Sequence, residues 1–199
     1  MIHSPTIILV TGPARSGKSE WAESLAMQSG KRVSYLATAR LNPEDSEWQA
    51  RIEKHQARRP PDWKTLWVPE DLTATLAQNQ AEDCFLVDAL GTWVANGLEW
   101  SEEEWQGKVR DLLELLPTLP GVVILVGEET GWGLVPVYPL GRQFRDRLGS
   151  LLRYVGTLAT SVYLVTGGYA LDLTQLGIPL LGNRGGEGEG ERGRGGAGE

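Results

Sequence analysis

Five short apolar runs constrain this chain more than any other feature: TIILVT (6–11), RVSYLAT (32–38), CFLVDAL (84–90), GVVILVG (121–127) and SVYLVTG (161–167). They show little of the alternation that a half-solvated strand needs. A strand rich in Val, Ile and Leu on both faces must be covered on both, which is the condition of a parallel sheet. Between the runs, 3.6-residue patterning predicts helices over 17–29, 44–57, 70–81, 101–116 and 141–159. Ser101 followed by Glu104 gives the fourth of these a capping box ahead of the amphipathic WQGKVRDLLELL. Strands alternating with helices predict an α/β fold, a mostly parallel open sheet with helices on both faces and right-handed crossovers.

Directly after the first run comes GPARSGKS, which is Gly12, Pro13, Ala14, Arg15, Ser16, Gly17, Lys18 and Ser19. It matches G-x-x-x-x-G-K-[ST] without a mismatch, between a buried strand and an amphipathic helix. Gly12 and Gly17 permit the turns that aim successive N–H groups, and the helix N-terminus, at phosphate oxygens. Lys18 is expected to reach the β- and γ-phosphates, and the Ser19 hydroxyl to ligate Mg²⁺. The expected architecture is therefore that of a P-loop NTPase of the RecA-like kind. Asp88, ending CFLVD, is placed to act as the acidic residue that helps hold Mg²⁺; an Asp capping the next helix is the other reading. DALG also fits the D-x-x-G of GTP switches, but there is no N-K-x-D to read guanine.

The 199 residues, 41% of them hydrophobic, suffice for one domain, expected over residues 1–181. From 182 to 199 the chain is mostly Gly with Glu and Arg, too poor in apolar side chains to offset its backbone entropy, and is expected to be a disordered tail. An RGG-like RNA-binding reading of the tail is opposed by its lack of aromatics and its balanced charge. A net charge of −7 argues against a general nucleic-acid partner. The single cysteine, Cys84, lies in an apolar run and reads as a buried thiol of a reducing compartment. No signal peptide is visible and no apolar run nears the roughly 20 residues of a membrane span, so a cytoplasmic protein is expected.

One of the two histidines stands in RIEKHQARRP (51–60). On a helix, Trp48, Ile52 and His55 share a face, which suits a half-buried packing histidine. Arg51, Lys54, Arg58 and Arg59 around it suit an imidazole nucleophile beside bound phosphates. Spacing leaves both readings open.

Taken together, TGPARSGKS, YLATA, ARIEKHQARRPPDWKT, FLVDALGTWVAN, EETGWGLVP and GRQFRDRLG resemble the bifunctional adenosylcobinamide kinase/adenosylcobinamide-phosphate guanylyltransferase family of cobalamin biosynthesis. The resemblance runs over roughly residues 7 to 172. It implies phosphorylation of adenosylcobinamide by a nucleoside triphosphate, ATP or GTP, with Mg²⁺. It also implies that His55 attacks the α-phosphate of GTP and carries GMP to adenosylcobinamide phosphate, giving adenosylcobinamide-GDP. On the same basis Gln56, Ala57, Arg58 and Arg59 would line the nucleotide after the histidine, and Thr38, Ala39 and Arg40 would line it after the second strand. Cations near His55 should keep the imidazole neutral and nucleophilic. Gly131 and Gly133 would shape a loop at the sheet's carboxyl edge. Glu129 falls on the family's E-x-G acid, a position that equally suits a solvated loop glutamate. Members of the family are homotrimers, and the eight tryptophans would divide between core and subunit contacts. The chain departs from the family pattern at Arg58, where a glycine is usual, at Trp67, where a glutamate is usual, and at Leu152 and Arg153, where Asn and Gln are usual. The competing functions are a small-molecule kinase without guanylyl transfer and a non-catalytic nucleotide-binding regulator.

Overall fold

The computed structural model describes residues 5–40 and 59–180. The expected helix over 44–57, with His55 and its basic neighbours Arg51, Lys54 and Arg58, lies outside the described residues, as does the tail from 182.

Seven strands form one sheet in the order β3-β2-β4-β5-β1-β6-β7. They are β1 (Thr6–Gly12), β2 (Arg32–Ala37), β3 (Lys64–Trp67), β4 (Asp83–Asp88), β5 (Val122–Glu128), β6 (Ser161–Thr166) and β7 (Tyr169–Asp172). All neighbouring pairs are parallel except β6 with β7. The described helices are α1 (Lys18–Gln28), α2 (Leu72–Leu76), α3 (Leu90–Asn96), α4 (Glu102–Leu115), α5 (Pro139–Leu158) and α6 (Leu173–Leu176). This is the mostly parallel open α/β sheet expected from the apolar runs, with the phosphate-loop sequence following its central strand β1 as in the expected P-loop NTPase architecture.

Residue parity decides which helix each strand residue meets, because successive strand side chains point to opposite faces. Val10, Tyr35, Ala37, Cys84, Leu86, Ile124 and Val126 face one way and bury Ala22 and Ala26 of α1. Ile7, Leu9, Leu36, Phe85, Val87, Val123 and Leu125 face the other and meet α2, α3, α4 and α5. On that second side Trp93 is fully buried, with its ring 5.6 Å from Trp105 and 6.0 Å from Trp100. Each such buried side chain contributes roughly 1.5–3 kcal/mol of transfer free energy. Burial also pushes the Cys84 thiol up to about 11, so it stays protonated and unreactive.

The capping box forms as the sequence predicts: Ser101 accepts from the Glu104 amide at 3.2 Å and the Glu104 carboxylate takes the Ser101 amide at 2.8 Å. Other elements differ from expectation. The run 84–90 leaves the sheet after Asp88, and its last residue opens α3. The helix expected over 70–81 is only Leu72–Leu76, because Asn79 turns inward and accepts the Gly121 amide at 2.8 Å. β3 and β7 are additional edge strands, the latter a hairpin through Gly167 and Gly168, both at positive φ (58° and 82°).

Candidate functional site

β1 lies between β5 and β6, yet the chain leaving it passes to β2, beyond β5 and β4. Such a reversal opens a crevice at the carboxyl ends of the strands. Into it runs the loop 13–17, ending at Gly17, which caps α1 at φ 94°. Gly12 has no room for a side chain: a Cβ there would collide with the Val165 carbonyl oxygen. Arg15 holds a positive φ of 59°, a conformation that non-glycine residues seldom adopt and that clusters at functional turns. The geometry is a backbone cradle whose N–H groups and helix terminus favour an anion.

Lys18 arches back over the loop, with Nζ 3.5 Å from the Pro13 carbonyl oxygen. Ser19 directs its hydroxyl at Asp88 Oδ1, 3.4 Å away. Asp88 and Ser19 thus converge from β4 and α1, because Asp88 shares the parity of Leu86 and faces α1. Their two hard oxygen atoms suit Mg²⁺, which takes few protein ligands and completes its shell with water and phosphate oxygens. No cluster of three or more His, Cys, Asp or Glu side chains able to hold a metal exists among the described residues.

Two residues that sequence reasoning passed over complete this surface. Tyr35, 4% exposed in β2, donates its hydroxyl to Asp88 Oδ2 at 2.7 Å. Burial, followed by the Asp88 charge, raises its proton affinity, so the phenol stays a donor. The Arg59 guanidinium lies over the Tyr35 ring, 3.3 Å from its centroid, and donates to Thr65 Oγ1 at 3.3 Å. Its Nε is buried without a hydrogen-bond partner among the described residues. Arg59, Tyr35, Asp88 and Ser19 therefore form a continuous chain of contacts from the segment before β3 across β2, β4 and α1. Glu128, at the end of β5, is the register partner of Gly12 and accepts the Gly91 amide at 3.1 Å. Burial raises its proton affinity, opposed by Lys18 and reinforced by Asp88. The parity of 122, 124, 126 and 128 was available as a signal for Glu128; the pairing of Tyr35 with Asp88 was not, since it needs the β2–β4 register.

Three more of the expected residues follow β2. Thr38 is fully buried, and its hydroxyl bonds the Ala89 carbonyl at 2.6 Å and also contacts Thr92, so its side chain holds the turn between β4 and α3. Ala39 is half-buried beside it. Arg40 is exposed and pairs with Glu70 at 2.7 Å. Glu129 accepts the Thr11 hydroxyl at 2.7 Å, and its amide bonds the Gly12 carbonyl at 3.0 Å. Gln56, Ala57, Arg58 and His55 lie outside the described residues.

Beyond Glu128 and Glu129 a cleft of about 440 Å³ opens between β5 and α5, bordered by Gly131, Arg145, Asp146 and Arg153. Leu152, one of the departures, also lines it and packs where Gly127 has no side chain.

Comparison with known proteins agrees with this arrangement. The family described as cobinamide kinase / cobinamide phosphate guanyltransferase matches residues 8–173. A bifunctional adenosylcobalamin biosynthesis protein, CobP of Pseudomonas aeruginosa, is 42% identical over 174 residues, covering 86% of this chain and 98% of that protein. The bifunctional adenosylcobalamin biosynthesis protein CobU of Salmonella typhimurium is 35% identical over 185 residues, covering 84% and 99%. Among solved structures, the PH0250 protein of Pyrococcus horikoshii shares the fold with a TM-score of 0.52 at 8% identity, each chain 85% covered.

Proposed function

The chain belongs to the cobinamide kinase / cobinamide phosphate guanyltransferase family, and from that premise we propose that its phosphate loop serves the kinase reaction while His55 carries GMP in the second. In the first reaction the backbone of residues 12–19 holds the triphosphate of ATP or GTP, and Lys18 draws charge off the β- and γ-phosphates. Ser19 and Asp88 hold Mg²⁺, which supplies neutralisation of the phosphate charge. The γ-phosphoryl group goes to the aminopropanol hydroxyl of adenosylcobinamide.

In the second reaction the neutral imidazole of His55 attacks the α-phosphorus of GTP and pyrophosphate leaves. Adenosylcobinamide phosphate then takes the GMP, and adenosylcobinamide-GDP is released. Gln56, Ala57, Arg58 and Arg59 accompany the nucleotide, with Ala39 and Arg40 at its edge. The observation that carries this reading is the contact chain from Arg59 through Tyr35 to Asp88. His55 is four residues before Arg59, and four residues of extended chain span at most roughly 14 Å. This short connection to Arg59 supports a role for His55 at the same nucleotide site.

Assembly as a homotrimer is supported by the apolar surface of the hairpin and of the segment C-terminal to it. Leu171, Leu173, Leu176, Ile178 and Leu180 are exposed next to β7, whose outer edge is unpaired among the described residues. No described helix is long and apolar enough to cross a membrane. A cytoplasmic location without nucleic-acid partners goes with the reading.

The test is incubation with Mg²⁺ and GTP labelled on the α-phosphate, then denaturation, with His55→Asn alongside. An acid-labile, alkali-stable label absent from the variant supports the carrier role. An unlabelled wild type that binds the nucleotide and still phosphorylates cobinamide would reduce the function to the kinase.

A further inference from the structure

We propose that the Glu128 carboxylate is the proton acceptor for the alcohol that receives the γ-phosphoryl group, and that the cleft between β5 and α5 admits that alcohol. The inference rests on the kinase reading above and adds a catalytic residue and an acceptor subsite to it.

The placement follows from the sheet. Glu128 is paired in register with Gly12, the first residue of the phosphate loop, and its carboxylate lies at the start of α3 on the Gly91 amide, where it feels the charges of Lys18 and Asp88. It also borders the cleft of about 440 Å³. One carboxylate therefore touches both the place where a phosphate is held and the place where a second molecule can enter.

The neighbouring carboxylates are already engaged. Both oxygens of Asp88 take hydroxyls, from Ser19 at 3.4 Å and Tyr35 at 2.7 Å. Glu129 takes the Thr11 hydroxyl at 2.7 Å. Glu128 instead takes the Gly91 amide at 3.1 Å on Oε2 and its own backbone amide, so its contacts are with backbone N–H groups and not with hydroxyls. Gly91 is what lets the carboxylate lie there, since a Cβ at that position would strike Oε2. The charged groups around it are Lys18 from α1, Asp88 from β4, the adjacent Glu129, and Arg145, Asp146 and Arg153 of α5 along the cleft. Burial holds its proton affinity above that of an ordinary carboxylate, closer to where a base is effective near neutral pH.

In the step itself, the acceptor O–H bond breaks as its oxygen bonds the γ-phosphorus, and the proton passes to the Glu128 carboxylate. The bond from the γ-phosphorus to the β-γ bridging oxygen breaks, and its electron pair leaves on the nucleoside diphosphate. Glu128 then returns its proton to solvent through the cleft.

The experiment compares wild type, Glu128→Gln and Glu128→Asp in cobinamide phosphorylation from pH 5 to 9, with α-labelled GTP adduct formation measured on the same preparations. Glu128→Gln keeps an acceptor for the Gly91 amide. It should lower the kinase kcat by about 10²-fold or more, abolish the acid limb of its pH profile, and leave the nucleotide KM and the GMP adduct within about threefold. Glu128→Asp should restore part of the rate together with the acid limb. A Glu128→Gln kinase within about threefold of wild type, or one losing phosphorylation and adduct together with a lowered melting temperature, overturns the assignment. A wild type that forms the adduct but never phosphorylates cobinamide overturns the kinase reading itself, and this proposal with it.

Discussion

Removing the Tyr35 hydroxyl isolates the link between the two halves of the nucleotide site. Tyr35→Phe keeps the buried ring under Arg59, so the cation–π contact at 3.3 Å survives and only the bond to Asp88 at 2.7 Å is lost. A hydrogen bond to a charged group contributes about 1.5–3 kcal/mol, and part of that returns because no hydroxyl needs desolvating. A destabilisation of about 1–2 kcal/mol results, which for a chain of this size lowers the melting temperature by roughly 2–8 °C. The functional effect is larger in proportion. Asp88 keeps only the longer bond from Ser19, so the carboxylate swings and Mg²⁺ half-saturation of nucleotide binding should rise about tenfold, as when an outer-shell partner of a ligand is lost. Thermal melts and Mg²⁺ titrations of a fluorescent nucleotide analogue measure the two effects separately. Tyr35→Leu, which also removes the ring, should add a loss of Arg59 order and a further drop in stability. A Tyr35→Phe protein with an unchanged melt and an unchanged Mg²⁺ requirement would refute the idea that this phenol positions Asp88.

Glu128→Gln should be more stable than wild type at pH 7, by chemical denaturation. The folded protein holds the Glu128 proton more tightly than the unfolded chain, so ionisation penalises the fold as pH rises above the ordinary carboxylate value of 4.5; the advantage of Gln must vanish below it. Gly12→Ala should abolish binding of ATP and GTP, measured by calorimetry, because its Cβ meets a backbone carbonyl that cannot rotate away. Arg147, 5% exposed, donates to the Gly97 carbonyl at 2.9 Å, the Trp100 carbonyl at 3.2 Å and Glu102 at 3.1 Å. Arg147→Ala should lower unfolding free energy by about 2–4 kcal/mol in urea, with the denaturant slope unchanged.

Local physics accounts for what was legible. The phosphate loop, the capping box of Ser101 and Glu104, and the five apolar runs each depend on residues a few positions apart, and their chemistry is written in the order of the chain. Asp88 belongs with them, since a carboxylate ending an apolar run must emerge at a strand's end. The Gly167–Gly168 hairpin was legible by the same logic, a two-glycine turn between apolar stretches, although β7 was not foreseen. α3 was not, because seven residues contiguous with a buried strand carry too short a period to distinguish helix from strand.

Register and packing determined the rest. Tyr35 reads as one more apolar strand residue until β2 lies beside β4, and only then does its hydroxyl meet Asp88. Thr38 reads as a loop residue near the nucleotide; its burial under Ala89 depends on where β4 turns into α3. Glu128 and Glu129 are indistinguishable as consecutive glutamates and both border the cleft, yet one takes the Gly91 amide while the other is tied to Thr11. The sequence by itself determined a parallel sheet with a phosphate-binding turn, because those arise from short-range sterics and periodicity. Which acids, phenol and guanidinium share that turn is a matter of strand order and residue parity across as much as 118 residues of chain, from Thr11 to Glu129. Only the assembled sheet brings such distant side chains into contact.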